Sequence, residues 1–170
     1  IGQFENLTLC FVPEFLRERC AMDDFISNHN LLAVGTHDKF VFDKIVEAHG
    51  HYPKDTARLK PTEAEILKYY NNVFAAYKII FANIMSEVCG KLNCDYTTVK
   101  DAFVKFGRCK DTYLDVNENL KGYGGMCLPK DVKAMTKLLE KLDIDFDTFK
   151  SIDSDNSKLK TTVFNGMRKQ

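Results

Sequence analysis

The 170-residue chain has no tryptophan, 9 glycines, 4 prolines and no excess of either charge, since Lys+Arg and Asp+Glu both number 24. Each shortage excludes something. Zero net charge argues against nucleic acid or an anionic membrane held mainly through charge. No apolar run approaches the roughly 18 residues of a membrane span, so no membrane partner is expected. Neither G-x-G-x-x-G nor G-x-x-x-x-G-K occurs, so neither phosphate-cradling glycine loop is present. The six cysteines form no C-x-x-C pair and follow no signal peptide. Disulfide scaffolds are smaller and denser in cysteine, so reduced thiols and a cytoplasmic location are expected. The sequence opens at Ile1 rather than methionine, which points to a native chain that starts upstream or was processed.

What remains is a globular composition, 45% apolar and 28% charged, with 13 Phe and 7 Tyr as bulky core material. Glycine and proline fall at few places, so long uninterrupted elements can form between them. Residues 6–12 (NLTLCFV) read as a short buried strand ended by Pro13, and residues 31–37 (LLAVGTH) as a second. Residues 38–50 read as a helix capped by Asp38 and stopped at Gly50, followed by an extended piece near 54–60. Strand, helix, strand, helix is the rhythm of a parallel α/β sheet, here too short to close one.

The texture changes at Lys60-Pro61. Thr62 and Glu65 form a capping box, and a helix is expected from residue 62 to Cys89 with Gly90 as its stop. Its middle, residues 73–85, is apolar nearly all round and must be covered. The expected cover is a second copy, giving a homodimer through residues 62–89. Further helices are expected over 95–106, 131–142 and 146 to about 167, with a loop at 108–130. The fold class is therefore mostly α with a small α/β part: a partial parallel sheet over 1–59, then an all-α domain over 60–170.

Three constellations carry chemistry. The first is KGYGGMCLPKD, residues 121–131, where glycines let backbone approach a ligand and Cys127 precedes a helix start that favours a thiolate. Set against a nucleophile is the ordinary alternative of a buried cysteine in a turn. The second is Lys68 with Asn72, on one helix face by their spacing, otherwise a solvated face. The third is PEFLRE, residues 13–18, where Glu14 and Glu18 follow a strand end of the kind that binds ligands. A metal site is not expected. Asp143, Asp145 and Asp147 imitate a calcium loop, but Thr148 and Ser154 stand where Gly and Glu are needed. His49 and His51 lack further spaced ligands.

Taken in order, PEFLRE, KPTEAEILKYYNNVFAAYK and GYGGMCLPKD resemble the UDP-glucose/GDP-mannose dehydrogenase family over roughly residues 7–140. The resemblance implies NAD-dependent oxidation of a nucleotide sugar to the uronate through a cysteine thioester. It makes residues 1–59 a remnant of an NAD-binding domain and 60–170 a central dimerisation domain like that of UDP-glucose and 6-phosphogluconate dehydrogenases. By position it implies Cys127 as nucleophile, Asp131 as holder of the catalytic water, Lys68 and Asn72 as oxyanion donors, and Glu14 and Glu18 as glutamates of which one is a base. Phe15, Leu16, Tyr123, Gly124, Gly125 and Arg108 would contact substrate, and Lys130 the cofactor. Arg108 is followed by Cys109-Lys110 where the family shows Ile-Gly. Two other readings stand beside this one. One is a non-catalytic dimerisation or sugar-nucleotide-binding module derived from the family. The other is a helical domain of the 6-phosphogluconate type, which needs no catalytic cysteine.

Overall fold

The structure, a computed structural model, describes residues 7–17 and 20–159. They fall into two compact units, divided between Tyr70 and Asn71.

In the first unit, β1 (Leu32–Gly35) pairs in parallel with β2 (Thr56–Leu59), Leu32 opposite Thr56 and Gly35 opposite Leu59. Every residue of β1 is buried, as its apolar run requires, whereas β2 alternates exposed and half-buried residues. The crossover is α2 (Lys39–His49), capped by the Asp38 carboxylate, which accepts from the Phe40 N–H at 2.8 Å. Gly50 ends it at φ 60°. Gly35 lets the next helix close over the strand end: a Cβ there would stand 2.8 Å from the Ala64 Cβ and 3.0 Å from the Pro61 Cα.

Of the expected strand at 6–12, residue 6 lies outside the described residues, and no strand forms over 7–12. Phe11 alone pairs, exchanging two backbone bonds with Gly35, while Leu7 and Leu9 stay exposed. Pro13 has no N–H to extend the pairing. The stretch after it gives α1 (Ala21–Ile26).

Helix α3 (Pro61–Lys91) is longer at both ends than the sequence implied. Glu63, not Glu65, reaches back, accepting from the Lys60 N–H at 2.8 Å. Pro61 sets this register because its fixed φ suits the first helical position, where a missing N–H costs nothing. Gly90 lies inside the helix. The stop is Asn93, at φ 54°, with Asn93 N–H bonding Gly90 C=O and Cys94 N–H bonding Cys89 C=O at 3.0 Å. That is a Schellman pair of bonds, which asparagine can support.

As one helix, α3 also contains an 18-residue window of mean hydropathy 1.3, 39% of it buried within the chain. By length and composition alone it could cross a membrane, a test that core helices of globular proteins also pass. The thirteen-residue estimate from sequence was too short because Lys78, Asn83 and Ser86 are too sparse to interrupt the run.

The second unit comprises most of α3, then α4 (Tyr96–Lys105), α5 (Leu128–Lys141) and α6 (Thr148–Lys158). Asp95 caps α4, accepting from the N–H groups of Thr97 and Thr98. The core joins Val73, Ala76 and Ile80 of α3 to Tyr123, Val132 of α5 and Ile152 of α6. Small alanines on α3 let the neighbouring chain approach closely, and Ala76 is fully buried. Thus α3 is not uncovered all round. Its exposed large side chains form one stripe: Ile66, Tyr70, Phe74, Tyr77, Phe81, Ile84 and Val88, each between 42% and 71% exposed. Their spacings of four or three residues average about 3.7, which keeps them on one face of the helix.

Candidate active site

Each unit carries part of the predicted constellation. In the first, the Lys68 ammonium donates to the Glu14 backbone carbonyl and lies 5.6 Å from the centre of the Phe15 ring. The Glu14 side chain is exposed, and Phe15 and Leu16 are half-buried. Glu18 lies outside the described residues. The segment is held by a contact that sequence reading missed. Buried Asp24 accepts from the Arg17 N–H at 2.9 Å, from Nε at 2.9 Å and from Nη2 at 2.7 Å. These bonds hold its carboxyl well below the usual carboxylate range. Arg17 precedes α1 rather than lying on it, so no helix face announces the pair.

In the second unit, α5 begins at Leu128 rather than at Asp131. Pro129 is tolerated in a first turn, so it belongs to the helix instead of preceding it. Cys127 therefore occupies the N-cap position itself, exposed, and its C=O accepts from the Asp131 N–H at 2.9 Å. The Asp131 side chain turns inward and is 2% exposed. Its Oδ2 accepts from the Asn72 amide at 2.5 Å, and its Oδ1 from the Lys130 ammonium. Asn71 donates in turn to Asn72 Oδ1 at 3.0 Å. A buried carboxylate is costly unless its lone pairs are met, and these donors meet them. The structure so brings Asn72, Lys130 and Asp131 together, beside the turn that carries Cys127.

The glycine loop is fixed by a residue that sequence reading missed. Asn156 of α6 accepts from the Tyr123 N–H at 2.8 Å and donates to the Tyr123 C=O at 3.0 Å, treating the loop as a strand edge. Gly122, at φ 78°, makes this approach possible, because a Cβ there would fall 2.4 Å from Asn156 Oδ1. The Tyr123 ring is buried and its hydroxyl donates to Asp153 at 3.4 Å. Burial, then the Asp153 charge, pushes the phenol above its ordinary value. Gly125 turns at φ 87°, and Gly124 is half-buried.

The earlier half of the loop is pinned separately. Lys100, almost buried, donates to Asp115 at 2.7 Å and to Asp111 at 3.1 Å, which hold it above the ordinary lysine range. Lys78 donates to the Thr112 C=O at 2.9 Å and Tyr96 to the Leu114 C=O at 2.8 Å. Arg108 is exposed and stacks on the Phe106 ring at 5.2 Å. A surface depression lined by Thr136, Leu139, Phe146 and Lys150, among others, contains none of the candidate residues.

The fit to a dinucleotide is poor. Gly35, the glycine at the end of β1, faces Ala64 and Pro61 rather than open space. The Lys130 ammonium is paired with Asp131. The described residues do not build a pyrophosphate cradle.

A parallel strand pair leading into a helical domain is a fold that this chain shares with solved dehydrogenases. Residues 62–158 match the model of the UDP-glucose/GDP-mannose dehydrogenase family, central domain, and the chain belongs to that family. It is 32% identical over 137 residues to the UDP-glucose 6-dehydrogenase of Haloferax volcanii, covering 77% of this chain and 31% of that protein. It is 31% identical over 149 residues to the GDP-mannose 6-dehydrogenase of Pseudomonas aeruginosa, covering 85% and 33%. Among solved structures, the UDP-glucose dehydrogenase of Pyrobaculum islandicum superposes with a TM-score of 0.79 at 30% identity, over 87% of this chain and 33% of that one. The chain thus spans about a third of the length of the relatives it matches.

Proposed function

We propose that this chain carries the thiol-bearing portion of a nucleotide-sugar 6-dehydrogenase, with Cys127 as nucleophile. The observation that supports it best is the buried Asp131, held by Asn72, four residues after an exposed thiol at a helix start. In this reading the Cys127 sulfur adds to the aldehyde carbon of the half-oxidised sugar, and the carbonyl oxygen becomes an alkoxide. Amide and ammonium donors at Asn72 and Lys68 stabilise that charge. After oxidation to the thioester, a water oriented by Asp131 attacks the acyl carbon, the C–S bond breaks and the sulfur recovers a proton. Glu14 or Glu18 serves as base, and Phe15, Leu16, Arg108, Tyr123, Gly124 and Gly125 contact the nucleotide sugar. NAD, the oxidant that the family resemblance implies, has no cradle in the described residues, so the hydride step is assigned to none of them.

Two copies associate in this reading through the exposed α3 stripe. Removing apolar area from water favours association by about 25 cal/mol per Å².

The reading is tested with the full chain and a UDP-hexose 6-aldehyde. The aldehyde should slow iodoacetamide labelling of Cys127 and leave labelling of Cys94 unchanged, with Asp131→Asn weakening the protection. Binding of UDP-sugar by calorimetry with no protection of Cys127 would instead establish the non-catalytic module.

A further inference from the structure

Where α3 gives way to α4, the chain reverses over six residues that begin and end with cysteine, Cys89-Gly90-Lys91-Leu92-Asn93-Cys94. In a continuing helix, residues five apart diverge around the axis. Here the left-handed Asn93 folds the second cysteine back over the first. The Cys94 N–H donates to the Cys89 C=O at 3.0 Å, and its sulfur lies 3.6 Å from the same oxygen. The exposures of the two thiols are opposite, Cys89 being 4% exposed and Cys94 open to solvent. A sensor dithiol has this form: an accessible thiol that meets the oxidant and a sheltered neighbour that resolves it.

We propose that Cys89 and Cys94 are a redox-active dithiol that a hydroperoxide closes into a disulfide. The accessible Cys94 sulfur attacks the peroxide, the O–O bond breaks, one water leaves and Cys94 becomes a sulfenic acid. The Cys89 sulfur then attacks the sulfenic sulfur. The S–O bond breaks, the Cys89 proton leaves with the hydroxyl as a second water, and the S–S bond forms. The two thiols together lose two electrons and two protons, and the peroxide is reduced to two waters. Burial shelters Cys89 and pushes its thiol up, so the exposed Cys94 is the sulfur that meets the peroxide first. The bond closes a six-residue ring that staples the end of α3, one residue beyond Val88 of the exposed stripe, to the residue before the Asp95 cap of α4. A thiol reductant reopens it. This inference does not depend on the proposed activity.

Trypsin reads the outcome directly, because Lys91 lies between the two sulfurs. The full chain is treated with hydrogen peroxide, alkylated with N-ethylmaleimide and digested without reductant. Peptides 79–91 and 92–100 should appear joined, at the mass of both less two hydrogens, and separate after dithiothreitol. Cys94→Ser, at an exposed position, should abolish the joined species and leave Cys89 alkylated. Cys89→Ala should divert Cys94 to sulfenic or sulfinic acid. Recovery of both peptides alkylated and separate while other cysteines oxidise overturns the proposal. So does sulfinic acid at Cys94 in the unmutated chain with Cys89 still free.

Discussion

The two units reach order by different routes. The second joins three helices through an apolar cluster, Val73, Ala76, Ile80, Tyr123, Val132 and Ile152. The first has a two-stranded sheet, which is marginal by itself. It relies on the ion pair between exposed Arg17 and buried Asp24 and on tilted ring contacts, with Phe25 within about 6 Å of His29, His49 and Tyr52. Apolar burial is insensitive to pH and tolerant of small shifts, whereas the polar contacts depend on charge and precise geometry. The loop bearing the candidate nucleophile sits in the apolar unit, and the Lys68–Glu14 contact in the polar one.

The largest test of that contrast uses adjacent residues on α3. Ile80→Asp places a charge in the second unit's core and should cost at least about 4 kcal/mol by urea unfolding, or abolish cooperative unfolding. Phe81→Asp, on the exposed stripe, should leave the far-ultraviolet spectrum intact and convert a dimer to a monomer in light scattering. Equal losses of stability from both would remove the distinction between the buried and exposed faces.

A smaller effect sharpens the account of the loop. Asn156→Ala removes both bonds to the Tyr123 backbone and should cost about 2–3 kcal/mol in urea unfolding. Because the loop loses its anchor rather than its fold, Cys127 alkylation should change more than that of Cys94. An unchanged Cys127 rate would mean that Asn156 does not position it.

The smallest effect concerns acid. The folded value of Asp24 lies below its unfolded value, so its stabilisation is fully present above the ordinary carboxylate range and fades as pH falls through the folded value. Asp24→Asn should therefore lower the urea midpoint at pH 7 and narrow the difference between pH 7 and pH 3. A difference as wide as in the unmutated chain would show that other carboxylates dominate, with Asp95 and Glu87, both also lowered, the leading ones.

Much of this organisation is legible in the sequence wherever the cause is local. Asp38 and Asp95 cap the helices they precede, and the apolar run at 31–37 contains a buried strand. The residues now seen around Asp131 were named from spacing and family likeness. What could not be read depends on distant partners or on choices between equal local signals. Thr62/Glu65 competed with Lys60/Glu63, and Pro61 decided it. Gly90 competed with Asn93 as a stop. A run apolar all round does not declare its inward face, so Ala76 and Ile80 looked as open to a second copy as Phe81 and Ile84. The roles of Asn156 and Lys100 arise only in three dimensions, since each bonds loop residues more than ten positions away.

The clamp on Tyr123 also has a consequence in time. Its two halves are separated by 33 positions. At roughly 5–20 residues per second, a ribosome emits Asn156 about 2–7 s after Tyr123. During that interval the nascent chain already carries Cys127 but lacks the side chain that fixes the loop before it. A transcript ending between the codons for Cys127 and Asn156 would thus yield a protein with the thiol present and its latch missing.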